Sequence, residues 1–259
     1  MRISFCTTCM GRLHHLKETL PANLKTSADR PDLEFVVLDY NSKDGLEEWM
    51  RREMAQAVTS GRVAYYRERA ARFFDPRHAK NIAHLMATGD ILVNVDADNF
   101  IGPGYAGKLE EFFGSPGVFV TSDPGQTKLK EGSAQLGISG RIALRAADFK
   151  ALRGYDEGLV GWGGEDPDLN RRARARGLRQ ISLYWPGDRV IPHCNEERTR
   201  HFEVRLSIDV TSAQNRRRSI ERRLTEVVNP SGYGRTVVYA GFGEETIQVD
   251  GGLAICGPS

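Results

Sequence analysis

Short apolar runs alternate with helical patterns in the first half of the chain. Apolar runs of strand length lie at Arg2–Thr7, Leu33–Asp39 and Asp90–Val95. The last two are continuous, as is typical of strands buried on both faces. Between them, Leu13–Leu24 and Leu46–Val58 carry apolar residues at helical spacing. This β-α-β-α order predicts an α/β fold with a mostly parallel central sheet covered by helices.

The remaining elements are shorter or less regular. The first half adds a strand at Arg62–Tyr66 and a helix at His78–Ala87. The second half, after a break at Gly102, Pro103 and Gly104, predicts a mixture of strands and helices. Those elements are a strand at Gly137–Arg145, a helix at Pro167–Arg176, a short strand at Arg189–Ile191, a long Arg-rich helix at Ser207–Val228 and a hairpin within Thr236–Ile255.

The composition is that of an ordinary globular protein. The 259 residues are 40% hydrophobic and 27% charged, with a formal net charge of +2. This length suits one α/β domain with a small appendage, and the charge is too small to indicate a nucleic-acid partner. The sequence has no apolar run long enough to span a membrane, and its start lacks the apolar core of a secretory signal. These features favour a cytoplasmic protein.

Arginines are concentrated in the long C-terminal helix. Such a run is usually a solvated helix face, but it could also be a patch for an acidic acceptor or an anionic surface, so peripheral contact with a membrane stays open. We also expect this C-terminal region to be the contact if the chain forms a homo-oligomer. The arginines concerned are Arg216, Arg217, Arg218, Arg222 and Arg223.

Four cysteines are present, at Cys6, Cys9, Cys194 and Cys256. The first two form a C-x-x-C pair, which is a spacing used in metal and redox sites. No second pair stands at zinc-ligand spacing, and this pair belongs to the apolar first strand. We therefore expect reduced thiols that are partly buried.

Polar residues follow three of the predicted strands. In open parallel sheets, ligands bind beyond the carboxyl ends of the strands, so these residues are expected to share one rim. They are Thr7, Thr8 and Arg12 after the first strand, Asp39 and Asn41 at the end of the second, and Asp96 and Asp98 at the end of the fourth.

Asp96 and Asp98 form a D-x-D pair directly after an apolar strand. In extended backbone, residues two apart face the same side, so both carboxylates would converge on one point. Two such oxygen ligands suit Mg²⁺ or Mn²⁺, which also bridge to phosphates. The alternative is a pair of aspartates in a turn or a helix cap.

Three cations open the helix that precedes this strand, namely Arg77, His78 and Lys80. Positive charge near a helix N-terminus is unfavourable unless an anion is present. A diphosphate would be such an anion. The alternative is an exposed basic first turn.

The segment GWGGEDPDL, from Gly161 to Leu169, is the most specific in the chain. Pro167 suits the first helical position, which makes Asp166 the predicted N-cap. Capping does not explain Glu165 or an exposed Trp162 between glycines. A carboxylate held rigidly at a helix start could also do chemistry. Further along, His193 is a lone histidine that is either structural or a metal ligand.

These pieces resemble known glycosyltransferases. Residues Ile3–Asn99 resemble glycosyltransferase family 2 through ISFCTTCMGR, EFVVLDYNSKDG and HAKNIAHLMATGDILVNVDADN. The later segment GRIALRAADFKALRGYDEGLVGWGGEDPDLNRRARARGL, followed by VIPH, is similar to the C-terminal portion of inverting galactosyltransferases and N-acetylgalactosaminyltransferases. The resemblance implies a GT-A fold: one Rossmann-like nucleotide-binding domain with a C-terminal helix and hairpin extension. Its parts would be a nucleotide-sugar half (1–101), an acceptor and catalytic half (102–205) and the extension (206–259), which matches neither family.

The resemblance also implies roles for individual residues. Thr7, Thr8, Arg12, Asp39 and Asn41 would hold the nucleoside, with Asp39 at a uracil edge. Arg77, His78 and Lys80 would meet the diphosphate, and Trp162 would belong to a loop over the donor. Asp98 and His193 would bind Mn²⁺ or Mg²⁺, with Asp96 on the metal or the ribose. Asp166 would be the general base and Glu165 would meet the acceptor hydroxyl.

The sequence departs from these families at three places. TTCMGR stands where family 2 usually shows a PxYN-like sequence, and DYNS stands for the commoner DDxS. Val190 occupies the place of a metal-binding methionine in the galactosyltransferases.

The resulting expectation is a metal-dependent enzyme that transfers a sugar from a nucleotide-sugar, most simply a UDP-sugar, to a glycan, glycolipid or other hydroxyl acceptor with inversion. The alternatives are a retaining transferase of similar fold, a nucleotidyltransferase, and a sugar-nucleotide-binding module without catalysis.

Overall fold

The computed structural model of the protein describes residues 1–122, 138–204, 206–222 and 227–252. Eleven strands are found in this part of the chain. They are β1 (Ile3–Cys9), β2 (Glu34–Tyr40), β3 (Val63–Glu68), β4 (Ile91–Asn94), β5 (Asn99–Phe100), β6 (Val118–Ser122), β7 (Ile142–Arg145), β8 (Arg179–Leu183), β9 (Arg189–Val190), β10 (Thr236–Ala240) and β11 (Thr246–Val249).

Nine helices accompany these strands in the same described ranges. They are α1 (Leu13–Thr26), α2 (Leu46–Glu53), α3 (Ala55–Thr59), α4 (Pro76–Met86), α5 (Tyr105–Phe113), α6 (Ala146–Ala151), α7 (Glu165–Ala175), α8 (Asn195–Thr199) and α9 (Ile208–Glu221).

The large sheet has the order β11-β10-β3-β2-β1-β4-β7-β6-β8. Its centre, β3-β2-β1-β4, is parallel, and the antiparallel strands β7 and β10 flank this centre. From β1, the chain continues to β2 and β3 on one side of the sheet and then returns to β4 on the other side of β1. The strand order therefore reverses between β1 and β4. Such a reversal opens a crevice at the carboxyl ends of the two strands.

Helices cover both faces of the sheet. Alternate residues of the central strands, such as Phe5 and Cys6, belong to different apolar clusters on opposite faces. One face packs on α1, α2 and α5, and the other packs on α4, α6 and α7. This three-layer arrangement confirms the predicted α/β class with its parallel central strands.

Several predicted element bounds change in the structure. The helix predicted at Leu46–Val58 divides at Met54 into α2 and α3. The predicted strand Gly137–Arg145 is described only from residue 138, and β7 begins at Ile142. The predicted helix Ser207–Val228 is confirmed only as α9, which begins after the N-cap Ser207 and ends at Glu221. The sequence pattern missed α5, β6, α6, β8 and α8 altogether.

The C-terminal hairpin is part of the sheet. Its strands β10 and β11 fall within the predicted segment, and β10 pairs with β3 through Val238 and Glu68. The hairpin therefore covers the edge of β3. Residues 253–259, including Cys256 and the predicted end of the hairpin, lie outside the described residues.

The three cysteines of the described residues are free thiols, as was predicted for Cys6 and Cys9. Cys6 and Cys9 are buried and Cys194 is exposed. Burial raises the pKa of both Cys6 and Cys9, so these two stay protonated. In the described part of the chain, helices are too short or too polar to cross a bilayer.

Candidate active site

A cavity of about 270 Å³ lies at the carboxyl ends of β1 and β4. The reversal of strand order places it there. The residues that line it are Thr8, Met10, Arg12, His15, Phe74, Pro76, Lys80, Asp96, Ala97, Asp98, Ser139, Gly140, Trp162, Glu165, Asp166, His193, Glu197, Arg198, His201 and Phe202.

Asp96 and Asp98 both line this cavity, but a turn brings them together rather than an extended strand. The amide of Asn99 donates to the carbonyl oxygen of Asp96 at 2.9 Å, which closes a turn over Asp96–Asn99. The turn, which was the alternative interpretation of the D-x-D pair, is therefore present, and the two-residue period of a strand is not what places these side chains at the cavity.

His193 reaches Asp98 from a distant part of the sequence. The pairing of β5 with β9 sets Asn99 opposite Val190, and the amide of Ile191 donates to the carbonyl oxygen of Asp98 at 2.9 Å. This places Nδ1 of His193 at 3.4 Å from Oδ2 of Asp98. The two residues singled out as metal ligands are therefore neighbours.

The protonation of this pair follows from burial. Burial and, second, the charge of Asp96 raise the pKa of Asp98 to about 7. Burial also lowers the pKa of His193, which favours a neutral ring. The neutral imidazole of His193 and the carboxylates of Asp98 and Asp96 are therefore suitable ligands for a divalent cation.

The opposite wall carries a second pair of carboxylates around one ammonium group. Nζ of Lys80 donates to Oδ1 of Asp166 at 2.9 Å and to Oε1 of Glu165 at 3.1 Å. Lys80 and Glu165 are almost fully buried. Oε2 of Glu165 has no hydrogen-bond partner among the described residues. The ammonium group of Lys80 thus bonds to both carboxylates, and Oε2 of Glu165 can still accept a hydrogen bond.

These three groups have different pKa shifts. Burial raises the pKa of Asp166 to about 7, although Lys80 acts in the opposite direction. Burial alone would raise the pKa of Glu165, but Lys80 and then Arg77 outweigh it and lower the pKa. Burial alone would lower the pKa of Lys80, but Asp166 and Glu165 outweigh it and raise the pKa. Glu165 is therefore the permanent counter-ion, while Asp166 can exchange a proton near neutral pH.

Gly140 lies between the two walls. A Cβ atom added there would be 3.0 Å from Oδ2 of Asp96 and 3.1 Å from Oδ2 of Asp166. The carboxylate that follows β4 and the one at the start of α7 thus both lie close to this glycine. A side chain at this position would push into the space between them.

Helix α7 starts earlier than its sequence predicts. Its N-cap is Gly164, in the left-handed region with φ of 91°, and no side chain caps it. The predicted N-cap Asp166 is therefore wrong: Asp166 lies in the first turn together with Glu165 and Asp168. Three carboxylates in one first turn suit the positive end of the helix dipole.

The residues predicted to hold the donor do not all meet at the cavity. Thr8, Arg12, Lys80, Asp96 and Trp162 line it. Thr7 is buried beside it in β1.

Asp39 and Asn41 border a separate recess of about 200 Å³ at the end of β2. Both oxygens of Asp39 are already used: Oδ1 accepts from the amide of Ser42 at 2.7 Å and Oδ2 accepts from the hydroxyl of Tyr65 at 3.0 Å. Burial raises the pKa of Asp39 to about 6. A new hydrogen bond to Asp39 would have to use a remaining lone pair or replace one of these donors.

Arg77 and His78 have partners within the protein. Asp75 caps α4 and pairs with Nε of Arg77 at 2.7 Å, and Nη1 of Arg77 donates to the carbonyl oxygen of Gly161 at 2.6 Å. His78 contacts the hydroxyl of Tyr40 at 2.7 Å. Asp75 is therefore the anion that pairs with Arg77, and Arg77 also supports the Gly-rich loop.

Sequence reasoning did not single out Glu197 and Arg198, which line the cavity. Arg198 donates from Nε to Nε2 of His193 at 3.1 Å, and its guanidinium lies 5.9 Å from the ring centroid of Trp162. Glu197 pairs through Oε1 with Arg12 at 3.0 Å and with His14 at 2.7 Å. Both residues belong to α8, whose five residues carry no apolar period. The proximity of this segment to His193 in sequence was the one available signal.

Comparison with known proteins agrees with this architecture. Residues 4–152 match the family model described as glycosyl transferase family 2, and residues 126–202 match the one described as the N-terminal domain of galactosyltransferase. A short segment of 37 residues is 49% identical to validoxylamine A glucosyltransferase of Streptomyces hygroscopicus, covering 14% of this chain and 9% of that protein.

Solved structures of similar fold include three glycosyltransferases. The mannosyltransferase PcManGT of Pyrobaculum calidifontis, in complex with GDP-Man and Mn²⁺, has a TM-score of 0.58 at 22% identity over 70% of this chain and 54% of that chain. TarS of S. aureus with UDP-GlcNAc has a TM-score of 0.54 at 17% identity, covering 71% and 56%. GalNAc-T7 with UDP, GalNAc and Mn²⁺ has a TM-score of 0.60 at 16% identity, covering 85% and 48%.

At these identities the likeness concerns the fold. The chain spans about half the length of these three structures. It spans less than a tenth of the glucosyltransferase.

Proposed function

The chain belongs to glycosyl transferase family 2, and from this premise we propose that it is a metal-dependent, inverting glycosyltransferase that uses a UDP-sugar and a hydroxyl acceptor. One observation carries the proposal. A single cavity holds Asp96, Asp98 and His193 on one wall and Glu165 with Asp166 around Lys80 on the other. The first group suits the diphosphate end of a donor, and the second suits an acceptor hydroxyl.

The metal would be held by Asp98 and His193, with Asp96 beside them. The fit rests on the donor set: a buried carboxylate, a second carboxylate that raises its pKa, and an imidazole kept neutral by burial. When bound, Mn²⁺ or Mg²⁺ supplies positive charge that stabilises a leaving diphosphate. Arg12 and Arg198 line the same side of the cavity and add to this positive charge.

Asp166 is the proposed general base. It accepts the proton of the acceptor hydroxyl while that oxygen forms a bond to the anomeric carbon of the donor. The bond from that carbon to the diphosphate oxygen breaks, and its electron pair leaves with the diphosphate. Lys80 keeps the carboxylate in place, and a pKa near neutrality suits a group that must gain and lose a proton in each cycle.

The proposed donor is a UDP-sugar, and the proposed acceptor carries a free hydroxyl group. A carboxylate such as Asp39 can accept the imide N–H of uracil, which is compatible with UDP. Structures of similar fold contain both UDP-GlcNAc and GDP-Man. The acceptor is proposed to be a glycan, glycolipid or other hydroxyl compound, because Asp166 requires a hydroxyl proton.

A screen of nucleotide-sugars by mass spectrometry, with and without Mn²⁺, tests the function. Transfer to an acceptor, or slow donor hydrolysis in its absence, supports the proposal. Release of pyrophosphate would instead indicate a nucleotidyltransferase. Binding without turnover of any donor would indicate a non-catalytic module.

A further inference from the structure

We propose that a polar stripe on α9 is the positioning element for the catalytic loop. The stripe consists of Thr211, Asn215 and Ser219, and the loop is residues 160–164. This inference rests on the proposed function of Glu165 and Asp166. It assigns a role to the C-terminal extension, which lies beyond both matched regions, 4–152 and 126–202.

The stripe is the buried face of α9. Its three residues are four apart, so they lie on one side of the helix, and they are the buried residues of that helix. All three are polar. An amphipathic helix normally buries an apolar face, so a buried polar face indicates specific hydrogen-bond partners.

Asn215 uses its whole amide group on the loop. Its Nδ2 donates to the carbonyl oxygens of Val160 and Gly163, both at 2.7 Å. Its Oδ1 accepts from the amide of Val160 at 3.0 Å. The amide group of Asn215 thus bonds to both ends of the loop. Val160 lies 55 residues before Asn215 in the sequence, and Gly163 lies 52 residues before it.

The other two residues extend this contact in both directions. The hydroxyl of Thr211 donates to the carbonyl oxygen of Trp162 at 2.9 Å. The hydroxyl of Ser219 donates to Oδ1 of Asp168 at 2.6 Å. Asp168 is fully buried in the first turn of α7. The stripe therefore holds the loop and the start of the helix that carries Glu165 and Asp166.

The loop can approach α9 this closely only because it contains glycine. A Cβ atom added at Gly161 would lie 2.7 Å from Cγ2 of Thr211, and one added at Gly164 would lie 2.6 Å from Cβ of Asn215. Both glycines also have positive φ. Contact with the stripe therefore explains these glycines of the GWGG segment through close packing and backbone conformation.

The position of the loop decides where three cavity residues lie. Trp162 is inside the loop, and Glu165 and Asp166 follow it directly. A shift of the loop by a fraction of an ångström would move all three relative to Lys80 and Asp98. Reaction rates depend steeply on such distances, whereas Thr8 and Arg12, which line the same cavity, lie outside the loop.

The experiment compares substitutions in the stripe with a neighbouring control. Asn215→Ala removes all three hydrogen bonds, and Asn215→Asp removes the two donors but keeps the acceptor. Thr211→Val removes the hydroxyl group while keeping the shape of the side chain. Thr211→Ser keeps the hydroxyl group. Gln214→Ala is the matched control, since Gln214 is exposed on the same helix.

Two measurements follow each variant. The first is the transfer reaction, with kcat, the acceptor KM and the affinity for UDP determined separately. We expect Asn215→Ala to lower kcat on the order of ten- to a hundredfold and to change UDP affinity less, because Trp162 is the one loop residue assigned to the donor. We expect Thr211→Val to lower kcat less, and Thr211→Ser and Gln214→Ala to behave like the wild type.

The second measurement is hydrogen exchange of the Val160 amide. Exchange should be faster in Asn215→Ala, and faster also in Asn215→Asp, because its second carboxylate oxygen would face the carbonyl oxygens of Val160 and Gly163. Unchanged exchange and unchanged kcat in folded Asn215→Ala would overturn the proposal. Because exchange needs no substrate, failure of the wild type to transfer any sugar would count against the proposed function alone.

Discussion

The ammonium group of Lys80 lies 2.9 Å from a carboxylate oxygen of Asp166, and this contact joins α4 to α7 across the cavity. The two residues are 86 positions apart in sequence. A buried ion pair of this kind is not simply a source of stability, because desolvation of both charges opposes their attraction. Here Lys80 holds an ionisable carboxylate beside the space for a substrate. Burial raises the pKa of that carboxylate to about 7, and Lys80 partly opposes this shift.

We expect Asp166→Asn to lower the transfer rate by roughly 10²–10⁴ while leaving the fold and donor binding nearly intact. The amide keeps the size of the carboxylate but cannot accept a proton. Glu165 remains 3.1 Å from Lys80 as its counter-ion, so the lysine is not left unpaired. Transfer kinetics and UDP calorimetry on the purified variant test this. Glu165→Gln serves as the comparison and should affect acceptor binding more than donor binding.

The anomeric configuration of the product should be opposite to that of the donor. A single displacement assisted by Asp166 inverts the anomeric carbon. NMR of the product reads the configuration directly. Retention, or near-normal turnover of Asp166→Asn, would remove Asp166 from the base role and favour a retaining mechanism.

The transfer rate should fall as the pH falls through about 7. The pKa of Asp166 is raised to about 7, and only its deprotonated form can accept a proton, so acid removes the active form. Profiles of kcat should be recorded at saturating metal, because the pKa of Asp98 is also about 7. In Lys80→Gln the profile should move to higher pH, since Lys80 lowers the pKa of Asp166. A flat profile in the neutral range would contradict this assignment.

Activity should disappear in EDTA and return with Mn²⁺. Asp98→Ala should abolish turnover in a folded protein, and His193→Ala should weaken Mn²⁺ affinity on the order of tenfold or more. Titration of activity with Mn²⁺ measures both effects. Lys17→Ala is the control, because Lys17 is exposed on α1 and does not line the cavity. Full activity of the wild type in excess chelator would exclude the metal role.

Removal of the Asp39 carboxylate should weaken UDP binding. A lost hydrogen bond to a charged group costs roughly 1.5–3 kcal/mol, and we expect Asp39→Ala to show this in calorimetry. Tyr65→Phe is the matched control, since it removes a neighbour of Asp39 at 3.0 Å and leaves the carboxylate in place. Equal UDP affinity of Asp39→Ala and wild type would reduce Asp39 to a structural role, in agreement with its two internal hydrogen bonds.

The sequence by itself determined the central strands and the chemistry at their ends. The apolar runs that predicted β1, β2 and β4 are readable because a strand covered on both faces must be apolar throughout. The polar rim followed from the same pattern, since a parallel sheet collects its carboxyl ends at one edge. Asp96, Asp98 and the GWGGED segment were therefore recognisable without coordinates.

Only the tertiary structure decided which of these residues meet. Lys80 was predicted to face a diphosphate, and its contacts with Glu165 and Asp166 depend on the tertiary arrangement that brings α4 and α7 to one cavity, which no local pattern encodes. Asp39 lies in a recess apart from the main cavity for the same reason. The role of α9 could not be predicted from the sequence because the buried face of this helix is polar. Hydrophobic periodicity indicates burial in an apolar core. Thr211, Asn215 and Ser219 are instead buried through hydrogen bonds to a distant loop and helix.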